Sequence, residues 1–153
     1  MSKAARPAPR PVPFETTLLV RDCCLCLHVQ RAARALARRF DEVLRPLGLT
    51  NGQFSLLMSL NRPQAARMAS VAALLAMDRT TLTAALKPLE RRGLLRIAPD
   101  PEDRRSRLLA LTRAGEELLA QAVPVWERTH AEVEAQLPQG GAAALRKSLL
   151  EIA

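Results

Sequence analysis

Between residues 50 and 111 the sequence is punctuated so closely that few folds can accommodate it. Thr50-Asn51-Gly52-Gln53 is a capping box. In such a box the Thr50 hydroxyl accepts from the Gln53 N–H, and the Gln53 side chain reaches back to the Thr50 N–H. A helix therefore starts there, with Phe54, Leu57, Met58 and Leu60 inward, and Asn61 to Pro63 is a loop. A short helix follows over roughly Ser70–Ala76, with Val71, Leu74 and Leu75 inward. Asp78 is a good N-cap for a helix over Arg79–Arg92, and Gly93 is its C′ residue. Two short apolar runs, Leu94–Ala98 and Arg107–Leu111, flank a charged, proline-rich linker and predict a β-hairpin with a long tip. Helix, short helix, turn, helix, hairpin is the order of a winged helix-turn-helix.

The flanking segments are helical. From about Phe14 to Leu47, apolar residues recur at three- and four-residue steps (Leu25, Val29, Leu36, Phe40, Val43, Leu44), and Gly48 ends the run. Thr112 opens a long helix to about Leu137, in which Pro124 removes one hydrogen bond and predicts a kink. Residues 138–141 form a turn, and Ala142 to Ile152 a final short helix. Aromatic residues make up 3% of the chain and tyrosine is absent. With many Ala, Leu and Arg, this favours helix over sheet. The reading is mainly α: a flexible, basic, proline-rich arm at 1–13, a helical dimerisation region from 14–47 and 112–153, and a winged helix-turn-helix lobe at 48–111.

The second helix of the pair should enter the major groove of DNA. At 100° per residue, Leu82, Leu86 and Leu89 fall on one face. Thr80, Ala84, Lys87 and Arg91 fall on the opposite one, flanked by Thr81 and Thr83. Hydroxyls, a methyl and cations are the groups that meet base edges, thymine methyls and phosphates. An ordinary amphipathic surface helix would show the same alternation, but it does not account for three threonines, which are poor helix formers. Pro88 leaves the Ala84 carbonyl without its usual donor, beyond the first two turns where base contacts lie.

Charge points the same way. Of the net +8, residues 62–113 carry +6 from eleven Lys/Arg and five Asp/Glu, and Lys3, Arg6 and Arg10 give the arm +3. A focused basic segment is an electrostatic footprint for phosphate. In the hairpin tip, Arg104, Arg105 and Arg107 surround Ser106. Such a wing can lay arginine into a minor groove, where the negative potential is strong. Asp103, two residues from Arg105, is expected to orient its guanidinium.

The runs LTNGQFSLLMSL at 49–60, VAALLAMDRTTLTAALKPLERRGLL at 71–95 and DPEDRRSRLLALTRAG at 100–115 together resemble the MarR (multiple antibiotic resistance regulator) family. The resemblance covers about residues 18–150. It implies a triangular two-fold dimer, with the first and last helices at the interface. It implies recognition-helix contacts from Arg79, Thr80, Thr81, Thr83 and Lys87, and a minor-groove contact from Arg105 oriented by Asp103. Regulators of this family repress neighbouring genes and release DNA when an effector binds or a cysteine is oxidised. Dimerisation also suits the physics: two modules on a two-fold frame read half-sites ~34 Å apart.

Cys23, Cys24, Cys26 and His28 form one cluster. On a continuous helix Cys23 and Cys26 share a face, as do Cys24 and His28. The spacing matches no standard zinc motif, and a metal or arsenite site would need further ligands. By resemblance, Cys26 is placed like the reactive cysteine of the hydroperoxide-sensing branch of the family, but Gln30 and Phe40 stand where that branch has tyrosines. Arg21, Arg31 and Arg34 would lower a thiol pKa. Buried structural thiols with a small-molecule effector are the alternative. An effector pocket would lie between the dimer helices and the DNA-binding lobe, lined by His28, Arg31 and Arg34 and suited to an anionic aromatic ligand.

No phosphate loop, zinc-protease motif or nucleophile elbow is present, so no enzyme class and no cofactor is indicated. No stretch reaches the ~20 apolar residues of a membrane span, and the N-terminus lacks the apolar core of a secretory signal. The expected location is cytoplasmic and the expected partner is double-stranded DNA. Two other readings stand beside this one: a nonspecific architectural DNA-binding protein, and a thiol- or metal-responsive sensor.

Overall fold

The capping box forms as the sequence requires. In the computed structural model, which describes residues 11–103 and 105–152, the Thr50 hydroxyl accepts from the Gln53 N–H and the Gln53 side-chain Oε1 accepts from the Thr50 N–H. The chain divides into two compact units, Met1–Leu36 and Ala37–Ala153.

The first unit holds α1 (Phe14–Cys23) and the start of α2 (Leu25–Leu44). The single long helix expected from residue 14 is interrupted at Cys24, which is extended at ψ 105°. There the Cys24 thiol takes the place of an N-cap, with its Sγ 3.5 Å from the Leu27 N–H. Most of the periodic apolar stripe read from the sequence is not buried within one chain. Phe14, Leu19, Val20, Leu25, Val29 and Leu36 are exposed, and only Phe40 and Leu44 at its end are covered. Pro46 tightens the end of the run into a 3₁₀ turn over Arg45–Leu47, closed by Gly48 in the left-handed region.

The second unit carries the core. In chain order it contains α3 (Asn51–Ser59), β1 (Ala66–Arg67), α4 (Met68–Leu74), α5 (Arg79–Arg91), β2 (Leu95–Pro99), β3 (Arg107–Leu111), α6 (Arg113–Glu134) and α7 (Gly141–Leu150). The sheet is antiparallel with order β1-β3-β2. Ala66 pairs with Leu109, Ile97 with Leu109 and Pro99 with Arg107. Leu44, Leu57, Val71, Leu82, Leu86, Leu89 and Leu109 are fully buried and join α2, α3, α4, α5 and the sheet.

One element was not foreseen and one expectation needs correction. Strand β1 has two residues, too short for a period-two pattern to announce it. Leu74, expected inward, is 63% exposed. The helix α4 buries Met68 and Val71 and ends at Leu74, so Leu74 falls outside the stripe that Leu75 continues.

Candidate nucleic-acid interface

Helix α5 is set by its cap. Asp78 Oδ1 accepts from the Thr81 N–H at 2.8 Å and Oδ2 from the Thr81 hydroxyl at 2.6 Å. These bonds hold the Asp78 carboxyl below its ordinary pKa. Leu82, Leu86 and Leu89 are buried, while Thr80, Thr81, Ala84, Lys87 and Arg91 are exposed, the alternation the sequence predicts. The helix continues through Pro88 to Arg91. The three threonines are not equivalent. Thr81 donates to its cap and Thr83 donates back to the Arg79 carbonyl at 2.7 Å. Among the described hydrogen bonds, the Thr80 hydroxyl alone of the three keeps its donor uncommitted.

The wing is ordered by its own polar groups. The Asp100 N–H donates to the Ser106 carbonyl and the Ser106 N–H to the Asp103 carbonyl. Asp103 Oδ1 accepts from the Arg105 backbone N–H at 3.0 Å. This corrects the expected role of Asp103. A two-residue separation favours an Asx turn onto the backbone, and no Asp103–Arg105 ion pair occurs among the described residues. Arg104 lies outside the described residues, as does the basic arm at Lys3, Arg6 and Arg10.

Sequence reasoning missed Arg67 on β1. It pairs with the buried carboxylate of Asp100 and with Glu102, both at 3.1 Å. The partners are 33 and 35 residues away, so no local pattern could reveal them. At the other end of the hairpin, the Thr112 hydroxyl donates to the Gly93 carbonyl and accepts from the Gly115 N–H. This ties the start of α6 to the exit of α5.

Between α4, the start of α5 and the wing lies a concavity of about 410 Å³. Met68, Ala69 and Ala72 form its apolar floor, and Arg79, Asp103, Arg105 and Arg107 its charged rim. Among the described residues, Arg79, Arg105, Arg107, Lys87 and Arg91 have no ion-pair partner. The fold thus brings Arg79 and Arg105, 26 positions apart in the sequence, to one cationic hollow beside the threonine face of α5. Such a surface suits a phosphate backbone flanked by readable base edges.

The cysteines sit in the first unit. Cys23 and Cys26 are exposed and Cys24 half-buried. The break at Cys24 puts Cys23 and Cys26 on different helices, so the single shared face does not exist. His28 Nδ1 lies 2.8 Å from the Cys24 carbonyl. The Gln30 amide donates to Cys26 Sγ at 3.1 Å, and Arg34 donates to Gln30 Oε1. Arg21 is held by Asp22 on both of its forks and is not directed at a thiol. Among the described residues, no three His, Cys, Asp or Glu converge as metal ligands.

A second hollow of about 540 Å³ lies between α3, the end of α4 and α6. Phe54, Met58, Leu74, Leu75, Val123 and Trp126 line it, with Ser55, Ser59 and Glu127 as polar members. Trp126 stacks on Phe54 and on His130, which is half-buried. Its lining is apolar apart from the two serines and Glu127, which is its one charged member.

The profile described as MarR family matches residues 49–106. The chain is 35% identical over 103 residues to the transcriptional activatory protein BadR of Rhodopseudomonas palustris; the match takes in 63% of this chain and 59% of that protein. It is 30% identical to the organic hydroperoxide resistance transcriptional regulator of Bacillus subtilis, over 66% of this chain and 69% of that one. The chain thus spans about three fifths to two thirds of the length of these relatives. Among solved structures, the transcriptional regulator MosR of M. tuberculosis in complex with DNA superposes with a TM-score of 0.77 at 37% identity, over 84% of this chain and 92% of that one.

Proposed function

The chain belongs to the MarR family, and on that premise we propose that it is a homodimeric regulator that binds a pseudo-palindromic operator in double-stranded DNA and represses transcription. The observation that carries this reading is the cationic hollow, in which Arg79 of α5 and Arg105 of the wing face one space beside the exposed Thr80 and Lys87. In this reading α5 lies in the major groove, with Arg79, Thr80, Thr81, Thr83 and Lys87 against bases and phosphates. Arg105 reaches the neighbouring minor groove. MosR is a transcriptional regulator solved on DNA, which supports the mode of binding. Repression needs only that the operator be occupied, whereas activation needs a surface for the polymerase.

The dimer is supported by apolar residues left exposed at both ends of the chain. Phe14, Leu19, Leu25 and Val29 lie at one end, and Leu145, Leu149, Leu150 and Ile152 at the other. Such residues are a liability in a monomer and an interface in a dimer. No helix among the described residues is long and apolar enough to cross a membrane; the proposed DNA-binding role is what supports a cytoplasmic location.

Release is proposed to follow binding of a small apolar molecule in the hollow beside Trp126. A second reading, oxidation of Cys26, is favoured by the Gln30 amide directed at its sulfur. One experiment tests these readings together: fluorescence anisotropy of reduced protein on DNA from upstream of its own gene, with random DNA as competitor. A parallel sample is treated with organic hydroperoxide. Competitor-resistant binding as a dimer is expected. Binding equal to that on random DNA would favour an architectural protein, for which affinity follows salt and not sequence. Loss of binding on oxidation in the wild type but not in Cys26→Ser would choose the thiol over the apolar ligand.

A further inference from the structure

We propose that Arg67 is a positioning residue for the wing: its ion pair with the buried Asp100 fixes the hairpin tip and thereby the reach of Arg105. The proposal rests on the reading that Arg105 touches DNA.

The argument starts from topology. β1 is an edge strand paired only to β3, and the tip joins β2 to β3. From β1, Arg67 reaches across to the point where the chain leaves β2. Its Nε donates to Asp100 Oδ2 and its Nη2 to Glu102, both at 3.1 Å. Asp100 is 3% exposed. Its other oxygen accepts from the Glu102 N–H at 3.0 Å, and its own N–H bonds the Ser106 carbonyl at 3.2 Å. Three residues on, Asp103 accepts from the Arg105 N–H and its carbonyl accepts from the Ser106 N–H. The tip is therefore a chain of hydrogen bonds that begins at Arg67 and ends at the backbone of Arg105. A buried carboxylate without its cation is costly and must seek water, so removing Arg67 draws Asp100 outward and frees the turn. Arg67 itself sits on the edge strand and is not one of the residues lining the cationic hollow. Asp100, being buried and anionic, has no means of contacting phosphate.

The test combines two readouts. Hydrogen exchange over residues 99–107 reports the tip without any DNA. Affinity is measured on a fluorescein-labelled duplex that the wild-type protein selects from a random-sequence pool. Arg67→Ala should speed tip exchange, leave α5 and α6 protected, and weaken binding about tenfold, the size of one lost groove contact. Asp100→Asn should do the same. Arg67→Gln combined with Asp100→Asn leaves no buried charge, so it keeps the test decisive if the single variants unfold. In an Arg105→Ala background, Arg67→Ala should cost almost nothing further. Unchanged tip exchange overturns the proposal. Additive losses would mean that Arg67 touches DNA on its own account, and would also overturn it. Wild-type affinity in Arg105→Ala would sink the wing contact itself, an outcome visible separately from the exchange data.

Discussion

Gly115 offers a prediction whose sign is set by the fold. Replacing glycine by alanine inside a helix ordinarily stabilises by about 1 kcal/mol. Gly115 is buried in the first turn of α6. An added Cβ would lie 2.0 Å from the Leu94 carbonyl oxygen and 3.3 Å from Leu111 Cδ2. That carbonyl is backbone and already accepts from the Thr112 N–H at 3.1 Å, so it has nowhere to retreat. The overlap exceeds what a rotamer change can absorb, and the start of α6 must lift from the Leu94 backbone. Overpacking of this kind costs about 1–3 kcal/mol, and a rigid backbone neighbour puts it at the upper end. For a chain of this size that lowers the melting temperature by roughly 6–12 °C. Gly52, in the first turn of α3, is the control: nothing lies within 4 Å of its added Cβ. There the same substitution should raise the melting temperature by about 2 °C. Thermal unfolding followed by circular dichroism, at one fixed protein concentration because a dimer's midpoint depends on it, decides the matter. A Gly115→Ala protein that melts at or above the wild type would show that α6 does not press on the Leu94 backbone as described.

Three further outcomes are expected. The Asp78 carboxyl is lowered first by the Thr81 hydroxyl bond and then by the Thr81 N–H. Its contribution to stability is therefore complete above the ordinary aspartate value of about 3.9 and is lost as pH falls through the lowered folded value. Asp78→Asn should flatten that acid limb in a pH titration of unfolding, and coincident limbs would contradict the cap. Thr80→Val should alter base preference in a binding-site selection more than Thr83→Val, since Thr83 spends its hydroxyl on the Arg79 carbonyl; the reverse order would reassign the readout. Arg105→Ala should lower the slope of log affinity against log salt by about one, and an unchanged slope would place Arg105 away from phosphate.

What the sequence disclosed is the chemistry that is local. Thr50, Asp78 and Thr112 each cap the helix that follows them, and Gly48 and Gly93 take the left-handed conformation that ends an element. Each of these signals operates within three or four residues, so it survives without knowledge of the fold. The face of α5 was legible for the same reason, because periodicity fixes which side chains oppose Leu82 and Leu86. Long-range pairing was not legible. Arg67 looks like any surface arginine until β1 brings it to Asp100. The interruption at Cys24 was hidden because cysteine is an uncommon cap, and the hydrophobic run continues on either side of it. The stripe from Leu25 to Leu36 was correctly read as apolar, but periodicity says only that a face wants cover. It does not say whether the cover comes from the same chain.

The two ends of the wing show why these distinctions matter for function. At its base, Gly93, Thr112 and Gly115 lock the hairpin to α5 and α6 through two hydrogen bonds to one hydroxyl and a backbone contact that admits no side chain. At its tip, Arg67 holds Asp100, and Asp103 holds the backbone of Arg105. An arginine on a free loop must be ordered at the moment of binding, at about 1–2 kcal/mol for each backbone residue fixed and about 0.5–1.5 kcal/mol for the side chain. A loop fastened at both ends has already met most of the backbone share of that cost. Arg105 then keeps only its side-chain freedom to lose, and its distance from Arg79 is set by strands and not by chance. On the proposed reading, the wing is a spacer between two cations, and the spacing it fixes would matter to recognition as much as any base that α5 meets.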